Sequence, residues 1–172
     1  MIHNFDEVVA TVAEVKREAH LDDTKIVLIT DAAGLDKTTV RRGLEVMDAN
    51  NGEVWGKLDA GTEEYYQLVN RTSVKFQRVL NNLCETAKAR PIMIQSLFLK
   101  VHGEQMSTQE LEAYCGRLNV IVTAGGKISE VQAYTVARPT PEAFATKLTK
   151  AELEAMAEII RKQTDLTVST YD

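Results

Sequence analysis

The chain has 172 residues, of which 44% are hydrophobic and 26% charged, as in an ordinary globular protein. Its net charge of -5 argues against mainly electrostatic binding to nucleic acid or to an anionic membrane. No apolar run approaches the ~20 residues that cross a bilayer. The N-terminus also lacks the basic-then-apolar order of a signal peptide, so a cytoplasmic protein is expected.

Hydrophobic periodicity predicts helices and strands in alternation along the chain. A helix over 5–18 comes first, because its apolar residues recur at a spacing near 3.6. The β-branched run over 25–30 then predicts a strand that is buried on both faces. The later predicted elements are a helix over 36–47, a strand over 54–59, helices over 62–70 and 72–88, a strand over 92–101, a helix over 107–120, a strand over 128–137, a helix over 149–162 and a possible strand over 166–169.

Repeated β-α units predict a parallel sheet with right-handed helical crossovers. A complete (β/α)8 barrel takes roughly 250 residues and at least about 200. The present chain is shorter, opens on a helix, and contains four clear strands and a possible fifth. The predicted fold is therefore a single α/β domain over 1–172, a partial (β/α) barrel with about four parallel strands.

Polar side chains at the carboxyl ends of the predicted strands form the candidate site, because ligands bind at that edge of parallel sheets. The candidate residues are Thr30, Asp31, Lys57, Asp59, Gln95, Ser96, Gln132, Tyr134 and Thr135. Lys57 and Asp59 are expected on one face of their strand, since side chains alternate with a period of two. A ligand would satisfy polar groups that are otherwise costly to bury.

Each candidate also has a structural interpretation, and the sequence leaves both open. Lys57 and Asp59 could form an ion pair with each other. Gln95 and Gln132 could bond each other inside a filled barrel. The ring of Tyr134 could simply pack.

A second possible acid/base pair, His102 and Glu104, lies in a glycine-containing loop that could equally be solvated. The two cysteines, Cys84 and Cys115, are far apart and each falls in a predicted helix. The three histidines, among them His3, are scattered as well. No metal-ligand spacing is present, so no metal site is predicted on this chain.

Several segments, taken in order, resemble radical S-adenosylmethionine (radical SAM) proteins. The segment 28–35 contains Thr-Asp-Ala-Ala-Gly, similar to the Thr-Asn-Gly at the end of that family's third strand. The segment 54–61 ends in Lys-Leu-Asp-Ala-Gly, similar to Leu-Asp-Ala at the end of the fourth, and 66–71 ends in Val-Asn-Arg, where the family has Ile-Asn-Arg. Further similar segments are 94–100 to the fifth strand, 131–139 to the sixth, 148–153 to the start of the last helix, and 3–9 to the stretch after the Gly-Gly-Glu-Pro motif.

The resemblance implies strands three to six of a six-stranded partial barrel and half of a cofactor pocket. Lys57 and Asp59 match positions that reach the carboxylate or ribose of S-adenosylmethionine (SAM). Thr30 and Asp31 match the end of the third strand, with Asp31 standing where the family often has Asn. The remaining matches to positions near ribose, adenine or substrate are Gln95, Ser96, Gln132, Tyr134 and Thr135.

The main departure from the family is the missing C-x-x-x-C-x-x-C motif, whose cysteines bind a 4Fe–4S cluster. The family's Gly-Gly-Glu segment is missing too, and both are expected upstream of Met1. The resemblance thus implies SAM and a 4Fe–4S cluster as cofactors, with the cluster ligands absent from this chain. We expect the C-terminal part of a radical SAM-type protein, which alone neither holds the cluster nor makes the 5′-deoxyadenosyl radical.

Two alternatives accompany this expectation. The chain could be a binding or assembly module that keeps the fold and pairs through an open sheet edge. The partner would then be a missing N-terminal cluster-binding half or a second copy in a homo-oligomer. A weaker alternative is an unrelated small α/β enzyme that uses Lys57 with Asp59.

Overall fold

The computed structural model describes residues 4–138 and 140–172. His3 and Pro139, which belong to two of the segments compared above, lie outside the described residues. The helices are α1 (Phe5–Glu18), α2 (Thr38–Asp48), α3 (Glu63–Asn70), α4 (Phe76–Ala89), α5 (Thr108–Thr123) and α6 (Lys150–Thr164). The strands are β1 (Ile26–Thr30), β2 (Gly52–Lys57), β3 (Ile92–Leu97), β4 (Lys100–Val101), β5 (Ile128–Tyr134), β6 (Ala145–Thr146) and β7 (Val168–Tyr171).

Five strands form one parallel sheet in the order β1-β2-β3-β5-β7, with helical segments connecting neighbouring strands. The predicted α/β partial barrel is therefore confirmed, and the possible last strand is the fifth member of its sheet. β4 and β6 form a separate antiparallel pair.

The predicted strand over 92–101 is wrong in its second half, because the chain leaves the sheet after Leu97. The Phe98 amide still donates to the Tyr134 carbonyl at 2.8 Å, and Lys100 then pairs with Thr146 in β6. The apolar residues Leu97, Phe98 and Leu99 continue across this exit, and Phe98 and Leu99 stay buried beyond it, so the sequence does not show where the strand ends.

The two faces of the parallel sheet differ sharply. On one face, the side chains of Val54, Ile92, Ile94 and Val131 are buried in a core shared with α2, α4, α5 and α6. At Gly56 the side chain of Leu83 from α4 occupies the space where a Cβ would stand. The other face, called the open face below, carries residues that are mostly half-buried or exposed. They are Val27, Ile29, Glu53, Trp55, Lys57, Met93, Gln95, Leu97, Glu130, Gln132, Tyr134, Ser169 and Tyr171.

The expectation that the first strand is buried on both faces is wrong. β1 lies at the edge of the sheet, and its open-face residues Val27 and Ile29 are 39% and 54% exposed. Only Ile26 and Leu28 pack against the core. The β-branched run reflects strand propensity and one-sided packing, not burial on two sides.

The first helix packs beside α2 rather than on the sheet. Asp6 pairs with Arg42, and Phe5 fills the space next to Gly43 of α2. Three other valines of α1, Val8, Val12 and Val15, are exposed. Among the helices in the described ranges, none has the length and apolar character needed to cross a membrane.

Candidate functional site

Three strands bring polar side chains together at the carboxyl end of the open face. Lys57 is the last residue of β2 and pairs in register with Gln95, which in turn pairs with Gln132 of β5. Burial and the charge of Asp59 raise the pKa of Tyr134, and Lys57 offsets part of that rise. Gln95 Nε2 donates to Gln132 Oε1 at 3.1 Å, so the mutual bond that the sequence left open as an alternative is present, although it lies on the open face rather than in a filled barrel interior.

Asp59 follows two residues after the end of β2 and is only 5% exposed. Its Oδ1 accepts from the Leu97 amide at 2.8 Å, and its Oδ2 accepts from Asn70 Nδ2 at 3.0 Å. Burial raises its pKa, and these two bonds and the charge of Lys57 offset part of that rise. No salt bridge joins Asp59 to Lys57 in the part of the chain that the structure describes. A simple ion pair of these two residues is thus not what the structure shows.

Asp59→Asn is expected to stabilise the protein at neutral pH. A carboxyl whose folded pKa is raised opposes folding once the pH exceeds the unfolded pKa, since the unfolded chain ionises more easily. Wild-type stability relative to the variant should therefore fall as the pH rises from about 3.8 through the folded pKa of Asp59. Denaturant unfolding of both proteins across this pH range measures the difference.

Asp36→Asn is the matched control, because Arg78 lowers the pKa of Asp36. The ionised carboxylate of Asp36 should therefore stabilise the wild-type protein. This stabilisation is present above the unfolded pKa of Asp36 and is lost as the pH falls through its folded pKa. If the stability differences from wild type changed with pH in the same direction for both variants, the raised pKa of Asp59 would be contradicted.

The turn after β1 places Asp31 at the same edge of the sheet. Thr30 Oγ1 accepts from the Ala32 amide at 3.1 Å, and Asp31 Oδ1 accepts from the Ala33 amide at 3.0 Å. Ala32 has a φ of 62°, and its carbonyl accepts from Asn82 Nδ2 of α4 at 2.8 Å. The hydroxyl of Thr30 is therefore used within the turn, whereas the carboxylate of Asp31 lies exposed on the rim.

A cleft of about 290 Å³ lies at this edge, between the β1 and β2 ends and helices α3 and α4. We call it the rim cleft, and its lining residues are Asp31, Lys57, Leu58, Asp59, Tyr66, Asn70, Thr72, Phe76 and Val79. The rings of Tyr66 and Phe76 stack with centroids 4.9 Å apart. Burial raises the pKa of Tyr66, with further contributions from the charges of Asp31, Glu63 and Asp59.

Three of the predicted site residues, Thr30, Ser96 and Thr135, are not brought to the open face, and Thr30 pairs in register with Gly56, whose Cα faces Leu83 of α4. Ser96 is fully buried on the helix-covered side, where its Oγ donates to the Leu58 carbonyl at 2.7 Å and contacts the Tyr114 hydroxyl at 2.6 Å. Thr135 is buried as well, and its Oγ1 accepts from the Leu148 amide at 3.0 Å. Both hold neighbouring backbone in place.

Two residues of α5 support the site, although they are absent from the candidates read from the sequence. Glu110 is buried and accepts from the Gly61 amide at 2.6 Å, the Thr62 amide at 3.0 Å and the Thr62 hydroxyl at 2.6 Å. Arg117 Nε donates to the Gly61 carbonyl at 2.7 Å. We call Glu110 and Arg117 the α5 clamp, because they hold both ends of Gly61, two residues after Asp59. Their spacing of seven residues, which places them on one helix face, was the available sequence signal.

The loop residues His102 and Glu104 do not form part of this rim. Both are exposed, and the ring of His102 stacks on Phe144 with centroids 4.8 Å apart. Cys84 lies in α4 and Cys115 in α5. Within residues 4–138 and 140–172, no group of three or more His, Cys, Asp and Glu side chains is arranged to hold a metal ion.

Solved structures share this architecture at low sequence identity. A domain of pyruvate-formate lyase-activating enzyme from Bacteroides vulgatus ATCC 8482 matches with a TM-score of 0.66 and 9% identity, over 100% of this chain and 96% of that chain. A radical SAM methyltransferase from Sphaerobacter thermophilus matches with a TM-score of 0.56 and 11% identity, over 85% of this chain and 40% of that chain. No protein-family model and no curated protein matches the sequence. The chain therefore shares the α/β partial-barrel fold of these two proteins.

Proposed function

We propose that the chain is the C-terminal part of a radical SAM-type enzyme and that its open-face rim binds SAM and substrate. The observation that carries this proposal is the convergence of Lys57, Gln95, Gln132 and Tyr134 at the carboxyl edge of an uncovered sheet face, with the buried carboxylate of Asp59 beside them. Binding at this edge is the general rule for parallel sheets.

The chemistry of these side chains fits the SAM molecule. Lys57 supplies a cation for the methionyl carboxylate, and Asp59 supplies acceptor oxygens for hydroxyl or ammonium groups. The bonded amides of Gln95 and Gln132 retain donors and acceptors for the ribose or adenine. The ring of Tyr134 offers a flat surface against which a base can stack.

The residues of this chain do not fit a 4Fe–4S cluster, for which the family uses three cysteine thiolates. Its two cysteines lie on helices α4 and α5, where Cys115 is buried and burial raises the pKa of its thiol to about 11. When bound, such a cluster supplies the electron that cleaves SAM. We propose that a polypeptide segment other than residues 4–172 holds it.

Calorimetric titration with SAM tests the binding proposal. Lys57→Ala is expected to weaken SAM binding at least about tenfold, because charge-assisted hydrogen bonds are the strong ones. The control is Lys127→Ala, since this exposed lysine lies before the amino end of β5 and should leave the affinity unchanged. Equal affinities of the two variants, or no binding by the wild-type chain, would refute a SAM site on this rim.

Anaerobic reconstitution with iron and sulfide tests the proposal about the cluster. The chain alone is expected to give no absorption or electron paramagnetic resonance signal of a four-iron cluster and no cleavage of SAM. A stoichiometric cluster with SAM cleavage would show that the ligands lie on this chain.

We propose a second candidate function, assembly through the β1 flank. β1 has only β2 as a described neighbour, and this flank exposes Val27 and Ile29 on the strand. Unpaired strand edges with apolar side chains are prone to pair. The occupant that fits best is a strand-helix unit of the same barrel type, since in the Sphaerobacter protein the matched region is 40% of a longer chain.

Sedimentation velocity over a wide concentration range separates the possible occupants. A chain that stays monomeric at high concentration would count against assembly of two copies through β1, whereas self-association that Ile29→Lys abolishes would identify a second copy as the occupant. Leu68→Lys, which charges an exposed leucine of α3, is the control and should not alter self-association.

A further inference from the structure

A second cleft lies in the segment 136–147, which follows β5 at the carboxyl edge of the sheet. We call it the loop cleft. It has a volume of about 420 Å³, and its polar lining residues are Arg138, Thr140, Thr146 and Lys147. None of these is among the residues assigned above to SAM. Parallel α/β proteins bind their ligands at this edge, so the loop cleft is placed to hold part of a ligand.

The lining of the loop cleft is positively charged, and the protein does not neutralise it. Arg138 and Lys147 are both exposed, and neither has an ion-pair or hydrogen-bond partner among residues 4–138 and 140–172. No acidic side chain belongs to the described lining. The chain as a whole carries a net charge of -5, so this lining has the opposite sign to the molecule. Two unpaired cations in one cleft favour an anionic ligand.

Other cations beside this segment are paired within the protein. Arg71 bonds Glu142 at 2.6 Å, and Lys100 bonds Glu152 at 2.7 Å. Glu142 is the one acid in the sequence of the segment, and it does not line the loop cleft. It is therefore not available to neutralise the two cations of the lining.

Hydrogen bonds hold the segment in a defined shape. The hydroxyl of Thr140 lies 2.7 Å from the carbonyl oxygens of Glu142 and Ala145 and can donate to either. The Leu148 amide donates to Thr135 Oγ1 at 3.0 Å, which ties the end of the segment to its beginning. The loop cleft is thus preformed, and a preformed site lowers the entropic cost of binding.

The chemistry of the lining fits a phosphate group on an organic molecule. A phosphate monoester carries about two negative charges at neutral pH, which two cations match, whereas a carboxylate carries one. The guanidinium of Arg138 can bond two phosphate oxygens at once, and Lys147 adds a point charge. The hydroxyl of Thr146 has no hydrogen bond among the described residues, so it can donate as well. The remaining lining, one valine and three alanines, suits an apolar organic part.

We propose that the loop cleft binds the phosphate group of a small phosphorylated molecule through Arg138, Lys147 and the Thr146 hydroxyl. The segment begins two residues after Tyr134, so the bound molecule is placed next to the proposed SAM site. Its assignment as the substrate rests on the proposed function. Binding of the phosphate itself requires no SAM.

A nucleic-acid backbone fits the loop cleft less well than a single phosphate. Affinity for such a backbone accumulates from several phosphate contacts, and only two cations belong to the described lining. The net charge of -5 opposes a longer contact with a polyanion.

Titration with n-butyl phosphate, n-butyrate and n-butanol, followed by NMR of the backbone amides within 136–147, tests the inference. n-Butyl phosphate is expected to shift these resonances saturably and to bind at least about tenfold more tightly than n-butanol, because it forms charge-assisted hydrogen bonds. n-Butyrate, with one charge, should bind more weakly than the phosphate. An affinity of n-butyrate or n-butanol equal to that of n-butyl phosphate would overturn the inference. Tighter binding of a single-stranded oligoribonucleotide would overturn it in favour of nucleic acid.

Variants of the two cations locate the bound phosphate. Arg138→Gln and Lys147→Met each remove one charge at an exposed position and are expected to weaken n-butyl phosphate binding about tenfold. Arg138→Lys keeps the charge without the planar pair of donors, so its affinity should lie between those of wild type and Arg138→Gln. The control is Lys162→Met, which removes an exposed lysine of α6 outside the cleft lining. Unchanged affinity in Arg138→Gln, or equal losses in Lys147→Met and Lys162→Met, would overturn the inference.

Titrations with SAM separate this inference from the proposed function. Lys57→Ala is expected to weaken SAM binding and to keep the wild-type affinity for n-butyl phosphate. Saturable binding of n-butyl phosphate by a chain that does not bind SAM would support the loop cleft and refute the SAM site. SAM binding without n-butyl phosphate binding would refute the loop cleft alone. Displacement of n-butyl phosphate by SAM would make the loop cleft part of the SAM site and overturn the inference.

Discussion

Gly61→Ala is expected to lower the free energy of unfolding by about 3 kcal/mol, at the upper end of the cost of overpacking. A Cβ at position 61 would lie 2.5 Å from the carbonyl carbon of Ala113 and 2.8 Å from its Cβ, and closer still to the amide nitrogen of Tyr114. These are atoms of the α5 backbone and its first side-chain carbon, so no flexible side chain can move away. The loop or the whole helix must shift instead.

Thermal and denaturant unfolding measure this effect. For a protein of this size, a loss of about 3 kcal/mol corresponds to a fall in Tm of roughly 6–12 °C. The same shift should separate Gly61 from Glu110 and Arg117, so the SAM affinity is expected to fall together with stability.

Gly116→Ala is the matched control, because Gly116 lies in the interior of α5 and no atom lies within 4 Å of its added Cβ. Alanine in a helix interior is favoured over glycine by about 1 kcal/mol, so this variant should be as stable as wild type or more stable. A Gly61→Ala protein that matched Gly116→Ala in stability would mean that the close approach of α5 is not required.

The fold could be predicted from the sequence because its signals are local. The alternation of strand and helix patterns depends on residues within one element, and crossover rules then determine a parallel sheet. The last helix shows the same point, since Thr149 and Glu152 form the reciprocal capping box that an N-terminal Thr-x-x-Glu pattern favours.

The candidate site could be predicted only in part, because strand register decides which side chains meet. Gln95 and Ser96 are neighbours in β3 and necessarily point to opposite faces. The register that pairs Lys57 with Gln95 and Gln95 with Gln132 selects Gln95 for the open face. The buried hydroxyl of Ser96 turns instead to the Leu58 carbonyl. Without the strand register, the sequence does not show which of Gln95 and Ser96 lies on the open face.

The Ser-Thr-Gln-Glu pattern of residues 107–110 is typical of a capping box, but the structure forms only one half of it, for a tertiary reason. Ser107 Oγ does accept from the Glu110 amide at 3.2 Å. The Glu110 carboxylate, however, turns away from its own helix end and bonds Gly61, 49 residues earlier in the chain. A contact at such a separation leaves no local signature, so the spacing of Glu110 and Arg117 shows that they share a helix face but not that both bond Gly61.

Glu110→Ala is the other change with a large expected effect, a loss of about 3–4 kcal/mol of unfolding free energy. Without the Glu110 carboxylate, the amides of Gly61 and Thr62 and the Thr62 hydroxyl lose their hydrogen-bond acceptor. Each unsatisfied buried donor costs about 1–3 kcal/mol. Some of the three should recover a partner from water, since Thr62 is only part-buried. Denaturant unfolding at neutral pH measures the loss.

Two companion variants show whether the cause is the clamp. Glu112→Ala removes an exposed acid from the same helix and should change stability by less than about 0.5 kcal/mol. Glu110→Gln keeps one acceptor oxygen for the Gly61 amide but presents an amide group where the Thr62 hydroxyl donates, so it should fall between wild type and Glu110→Ala. If Glu110→Gln were as stable as wild type, the charge of Glu110 would contribute nothing to holding the loop. If Glu110→Ala lost no more unfolding free energy than Glu112→Ala, α5 would hold Gly61 through Arg117 alone. Asp59 would then be positioned by its hydrogen bonds with Leu97 and Asn70.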